Sequence, residues 1–272
     1  ALLGAATCLT ITVLLGVALA LNLSGGFLGR ARFLALGVHI HVAALGWVLL
    51  VMVGVGRHLL PMFLLSHGVS DRGLKLAAAL LAAGVAWLVL FHHAATWIFL
   101  PPAAVLASAG VLAFLVHAAR LYGRRVKPRL DPGMRLAAAA LGLLALALLL
   151  APLALWRGYA DPRTAVAYVA ALIPGALTLF VAAHYYKIVP FLVWYHHFGP
   201  LAGKRPLPRV AELYGERTGN AAAALLVAGA LGLVAATLLA APLAARLATL
   251  AFAGGVALLT LQMIGVSRRR PT

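Results

Sequence analysis

Eight stretches of roughly 17–25 mainly apolar residues, each ended by a cluster of Arg, Gly or Pro, constrain this chain more than any other feature. They fall at about 2–22, 33–56, 75–95, 98–119, 134–156, 164–186, 219–240 and 244–266. Segments of this length cross a hydrocarbon core as helices, because a helix satisfies its own backbone groups where no water can. The 272 residues are 64% hydrophobic and 10% charged, against about 45–50% and about 25% in a soluble domain. That is more apolar surface than one core of this length can enclose. The expected fold is an all-α integral membrane protein: one membrane domain over 1–272, built as a polytopic bundle of about eight transmembrane helices.

Twenty-two Lys and Arg stand against five Asp and Glu. In a soluble chain such an excess suggests nucleic acid, but here the cations lie between apolar runs and set topology, so the expected partner is the lipid bilayer and not nucleic acid. Arg57, Arg72, Lys75, Arg120, Arg124, Arg125, Lys127, Arg129, Arg135, Lys187, Lys204, Arg205, Arg209, Arg217, Arg268, Arg269 and Arg270 fall on one side. Arg30, Arg32, Arg157, Arg163 and Arg246 fall on the other. The richer side is expected to be cytoplasmic, with both termini there, in a multi-pass protein of a bacterial inner (plasma) membrane. The first run is too long and lacks the basic front of a signal peptide, so it counts as a span. Asp71, Asp131, Asp161, Glu212 and Glu216 all fall in loops, which argues against a carboxylate-driven carrier or pump. The lone Cys8 cannot form an internal disulfide or a Cys-based zinc or iron–sulfur site, so a metal would have to be held by histidine.

A faint echo links the second and sixth spans. Aligning Pro61 with Pro190 pairs the segment from His58 with that from Lys187, and His67 with His196. This fits two four-helix halves; a proline at any amphipathic span exit gives the same look, so both readings stand. Pro174, mid-span, is expected to kink the sixth helix and free a carbonyl.

Ten histidines in so apolar a chain need partners or ligands. Counted along a helix, His39 and His41 lie roughly 9–12 Å below the outer surface and His92 and His93 roughly 5–6 Å below it. His58, His67, His117, His184, His196 and His197 sort to the inner side. His39 and His41 are about 200° apart around their helix and so address opposite faces. Haem ligation by two imidazoles needs facing helices at matched depth with small residues nearby, and the second span offers Gly37, Gly46, Gly54 and Gly56. The candidate cofactor ligands are therefore His39, His41, His92 and His93, which are also the candidate metal ligands. His117 and His184 are candidates for an inner haem.

The stretch 184–200 runs out of a span through Tyr185, Tyr186, Trp194, Tyr195, His196 and His197. One reading is an interfacial aromatic belt with Lys187 and Lys204 facing lipid headgroups. The other uses the tyrosines to hydrogen-bond a quinone and Lys187 and Arg205 to pair haem propionates.

The His39-Ile-His41 pair on one span and the His92-His93 pair on another resemble the catalytic subunits of haem–copper oxidases and nitric oxide reductases, and their haem- and copper-containing nitric-oxide-response relatives. The resemblance implies that His39 and His41 bind haem, and that His92 or His93 binds copper or opposes a haem. The third copper histidine and linked tyrosine of those subunits have no match here, so it does not extend to full oxygen reduction. Haem A synthase is similar in having eight spans in two halves with paired haem histidines, although its Glu…His-Arg motif is absent. The expectation is a protein binding haem b, with copper as a second candidate, in redox work, electron transfer or diatomic-gas binding. It would act beside a quinone or cytochrome partner, oxidase subunits or further copies of itself. The rival expectation is a non-enzymatic membrane subunit or assembly factor of a respiratory oxidase. Whether the chain is an enzyme stays open at this level.

Overall fold

The computed structural model describes residues 1–29, 31–91, 100–157 and 161–271. Among them every regular element is a helix, and eight helices are long and apolar enough to cross a membrane. The protein is a polytopic, multi-pass α-helical membrane protein. Leu3, Leu14 and Leu23 of the first span and Leu243, Leu250 and Leu261 of the last are exposed. Apolar side chains facing outward on this scale are what a bilayer solvates.

The chain divides into two compact units, Ala1–Val126 and Lys127–Thr272. Unit 1 holds α1 (Leu2–Gly25), a long second span made of α2 (Ala31–His41), a π-helical segment π1 (Val42–Leu49) and α3 (Leu50–Leu64), then α4 (Arg72–Phe91) and α5 (Leu100–Gly123). Unit 2 holds α6 (Pro132–Arg157), then α7 (Pro162–Ala170), π2 (Ala171–Thr178), α8 (Leu179–Val193) and π3 (Trp194–Phe198) in one continuous span, then α9 (Glu216–Leu238) and α10 (Pro242–Ser267).

Two spans run further than the sequence suggests: the second reaches Leu64 rather than 56, and the sixth reaches Leu201 rather than 186. The polar residues taken as exits sit on an exposed face of a helix that continues. Arg57 and His58 point outward while Leu60 and Leu64 are buried one turn apart. Likewise Tyr186, Pro190 and Val193 keep a buried stripe going past Lys187. Pro61 and Pro190 lie inside these helices.

Pro174 sits inside π2, and the Thr178 hydroxyl donates to the Ile173 carbonyl at 2.9 Å, five residues back. The wider i→i+5 turn absorbs the proline in place of a sharp break. Asp161 caps α7: its carboxylate accepts the Arg163 N–H at 3.2 Å and pairs with the Arg163 guanidinium at 2.8 Å. That pairing holds the Asp161 carboxyl below the usual carboxylate range. In the loop before α9, Glu212 accepts the Arg209 N–H at 2.9 Å and its guanidinium at 2.7 Å, and is held low for the same reason.

The two units repeat one plan. Residues of π1 and α3 match those of π2 and α8 at a constant spacing of 129, which also joins Pro61 to Pro190. In each unit the last two spans then pack backbone to backbone through glycines. A Cβ on Gly84 would lie 2.8 Å from the Ala107 nitrogen, and one on Gly110 would lie 2.9 Å from the Leu81 nitrogen and 3.1 Å from the Ala77 carbonyl. At a spacing of 145, a Cβ on Gly229 would lie 2.6 Å from the Phe252 nitrogen, and one on Gly255 would lie 2.9 Å from the Leu226 nitrogen and 3.1 Å from the Ala222 carbonyl. This is small-residue packing of membrane helices, where close approach supplies the dispersion contacts that lipid alone cannot. Eight spans in two four-helix halves is the architecture.

Candidate cofactor site

The site is built from the end of α2. His39 and His41 occupy its last turn, directly before π1. The His39 ring lies against α1, where a Cβ on Gly16 would be 3.1 Å from its Cε1. Its Nδ1 is buried and has no hydrogen-bond partner among the described residues, which is costly for an imidazole nitrogen in an apolar span. His41 donates its Nδ1–H to the Gly37 carbonyl at 2.8 Å. That bond fixes the tautomer and leaves the lone pair on Nε2, the arrangement in which protein imidazoles ligate metals. The two rings take different environments, as the 200° between them requires.

One turn further on, a Cβ on Gly46 would lie 2.8 Å from Cys8 Sγ and 3.0 Å from Val85. In unit 2, the corresponding Gly175 faces Leu143 of α6, at 3.3 Å to its Cδ2. π1 is thus seated on α1, and α1 faces His39 across the same contact.

His92 and His93 lie outside the described residues. The described part of α4 ends at Phe91, whose ring packs on Trp87 at 4.7 Å.

The inner histidines fall in different units. His117 is buried on α5 of unit 1, with its Nδ1 3.4 Å from where a Cβ on Gly73 would be. His184 is buried on α8 of unit 2, donates Nδ1–H to the Phe180 carbonyl at 2.7 Å, and packs on the Phe180 ring at 4.5 Å. His58, His67 and His196 are not buried. Arg57 beside His58 pairs with Asp71 at 2.7 Å.

Lys187 differs from both sequence readings. Its ammonium pairs with Asp131, at the foot of α6, and is largely buried, so it faces neither headgroups nor propionates. Trp194 is not a free belt residue either, since its Nε1–H donates to the Pro208 carbonyl at 2.7 Å and ties the loop to π3. Tyr185 and Tyr195 are exposed and fit the belt, whereas Tyr186 is buried, with Tyr214 at 5.4 Å between ring centroids. Burial, with Asp131 nearby, pushes the Tyr214 phenol above its ordinary range. This cluster of Asp131, Tyr186, Lys187 and Tyr214 escaped sequence reasoning because its members come from three separate segments with no motif between them.

Among the described residues no three His, Cys, Asp or Glu side chains converge as a metal-binding group. What they do offer is an orphaned buried Nδ1 on His39, a glycine that makes room for its ring, and a tautomer-fixed His41. This fits imidazole ligation of a haem. The class established by fold is a polytopic helical membrane protein of two four-span units. No family model, curated protein or solved structure matches the chain.

Proposed function

We propose that this chain is a haem-binding integral membrane protein, holding haem b in the outer half of unit 1 for redox work or the binding of a small diatomic gas. The observation that carries the reading is the His39–His41 turn: one imidazole nitrogen buried without a partner, and a second imidazole oriented by its own helix carbonyl. Both stand immediately before a π segment, a backbone form that recurs at functional sites. His92 or His93 is the proposed opposing ligand, and copper the second candidate ion there. His117 and His184 are kept as candidates for inner ligation.

A bound haem supplies one-electron chemistry and, at an open axial position, gas binding. The chain's part is to orient and exclude. The Gly37 carbonyl holds the His41 ring and raises its basicity as a ligand. Gly16 lets the His39 ring sit against α1. Val38, Val42 and Leu45, buried beside these histidines in sequence, make the surroundings apolar, which favours the less charged oxidation state. The chain's place in a bacterial plasma membrane, and a quinone, cytochrome or oxidase-subunit partner, belong to the same proposal.

One observation favours a second reading, a non-enzymatic subunit or assembly factor. His41 and His184 both spend Nδ1 on a carbonyl four residues back, as a histidine with only a local role also does. Metal and haem quantification on protein purified from its membrane separates the two. The haem reading expects about one haem or more per chain and a Soret band that shifts on reduction; a colourless protein co-purifying with an oxidase supports the other.

A further inference from the structure

Unit 1 contains a cavity of about 350 Å³ that the haem reading does not use. It is lined by Gly68, Ser70, Arg72, Gly73, Arg120 and Arg124, and no carboxylate lines it. Its volume is at the lower end of ligand pockets, roughly 300–1,000 Å³. The nearest carboxylate in sequence, Asp71, is engaged by Arg57 at 2.7 Å. Arg124 is held in place by donating to the Gly68 carbonyl at 2.5 Å. Arg120 lies in the last turn of α5, Arg124 directly follows that helix and donates its backbone N–H to the Arg120 carbonyl at 3.0 Å, and Arg72 opens the 20-residue α4, whose positive dipole end adds to the field. Three arginines, a serine and a helix start around one hollow supply the charge and donors that an anion needs.

We propose that this cavity binds a phosphate-bearing anion at the membrane surface. The apolar spans of α4 and α5 end here, at Arg72 and at Gly123. Leu76, one turn after Arg72, and Val116, one turn before Arg120, are exposed. That is the layout an anionic phospholipid requires, with phosphate on arginine and acyl chains along the helices. Unit 2 provides an internal comparison. At the spacing of 145, Arg72 and Arg124 recur as Arg217 and Arg269, but Arg120 becomes Gly265 and Ser70 becomes Gly215. The Gly215 carbonyl accepts the Gln262 side-chain N–H at 2.7 Å. The repeat therefore lacks the central arginine and the hydroxyl, and the proposal is confined to unit 1.

The test uses the full chain, delipidated in detergent. Retention of phosphatidylglycerol against phosphatidylcholine is followed by native mass spectrometry, and protection of arginines from phenylglyoxal is read by peptide mapping. Wild type should retain phosphatidylglycerol selectively. The Arg72→Gln/Arg120→Gln variant should weaken that about 25-fold, at about fivefold for each arginine near an anionic headgroup, and Arg217→Gln/Arg269→Gln should leave it unchanged. Protection of Arg72 and Arg120 in wild type, which needs no variant to fold, should appear with phosphatidylglycerol. Protection by millimolar inorganic phosphate alone would support the same site with a soluble source. Equal losses in both double variants, or no protection by either probe, would overturn the proposal.

Discussion

At the residue scale, the account turns on small positions that let particular side chains sit where they do. Gly16 is one. A side chain there meets His39 at 3.1 Å from its first carbon, so Gly16→Val must displace the imidazole. We expect a loss of about 1–3 kcal/mol in a denaturation assay in detergent, with a matching fall in haem content. Gly142, which has nothing within 4 Å, is the control, and Gly142→Ala should cost nothing measurable. Asp161 gives a pH prediction. Its folded carboxyl is held below the ordinary range by Arg163, so its contribution is present above the unfolded pKa and lost as pH falls through the folded one. The Arg163 amide, which donates to the carboxylate, should lose exchange protection only at acid pH in wild type and already at neutral pH in Asp161→Ala, while the Thr164 amide, which donates to the Asp161 backbone carbonyl at 3.3 Å, is the internal comparison. Unchanged protection would show that the cap is not what holds the start of α7.

At the element scale, each π segment takes up extra chain without breaking its span. Removing one residue from an i→i+5 turn returns it to α geometry with the flanking helices near their present phase, whereas removing one from a regular helix rotates what precedes it by about 100°. Deletion of Ala43, within π1, should therefore leave helix content by circular dichroism and the Soret band in place, and deletion of Met52, within α3, should turn His39 away from Gly16 and abolish the band. The glycine-paired helices make a second prediction. Gly84→Ala and Gly229→Ala, which collide with backbone nitrogens at 2.8 and 2.6 Å, should each destabilise by about 1–3 kcal/mol. These elements were partly legible in advance. The eight spans follow from hydropathy alone, and the Pro61–Pro190 echo has the true spacing. The π segments were hidden because in uniformly apolar runs such as Val42–Leu49 a period of 4.4 residues leaves no different pattern from one of 3.6. Their exits were misplaced because Arg57, His58 and Lys187 read as loop residues until their helical face is known.

At the scale of the whole molecule, the two units repeat one plan, and the proposed haem site belongs to one of them. The equivalence of α4 and α5 with α9 and α10 was not visible in the sequence because the spacing rises from 129 to 145 after α8. The additional chain sits in the segment holding π3, the Trp194 tie to Pro208 and the Arg209–Glu212 pair. At the spacing of 129, His39 and His41 correspond to Tyr168 and Ala170, so the outer imidazoles belong to unit 1 alone. The distribution of Lys and Arg predicts cytoplasmic termini: a fluorescent-protein fusion after Thr272 should be bright, with a phosphatase fusion there inactive. The reverse pattern would invert the layer assigned to every histidine.

A pyridine haemochrome assay on purified wild type, with His41→Ala and His39→Ala alongside, decides whether unit 1 holds an iron porphyrin through these histidines. Wild type should contain haem b at about one per chain or more, with a marked loss in at least one variant that still folds. Wild-type protein without haem, or haem content untouched by both substitutions, would contradict the haem reading.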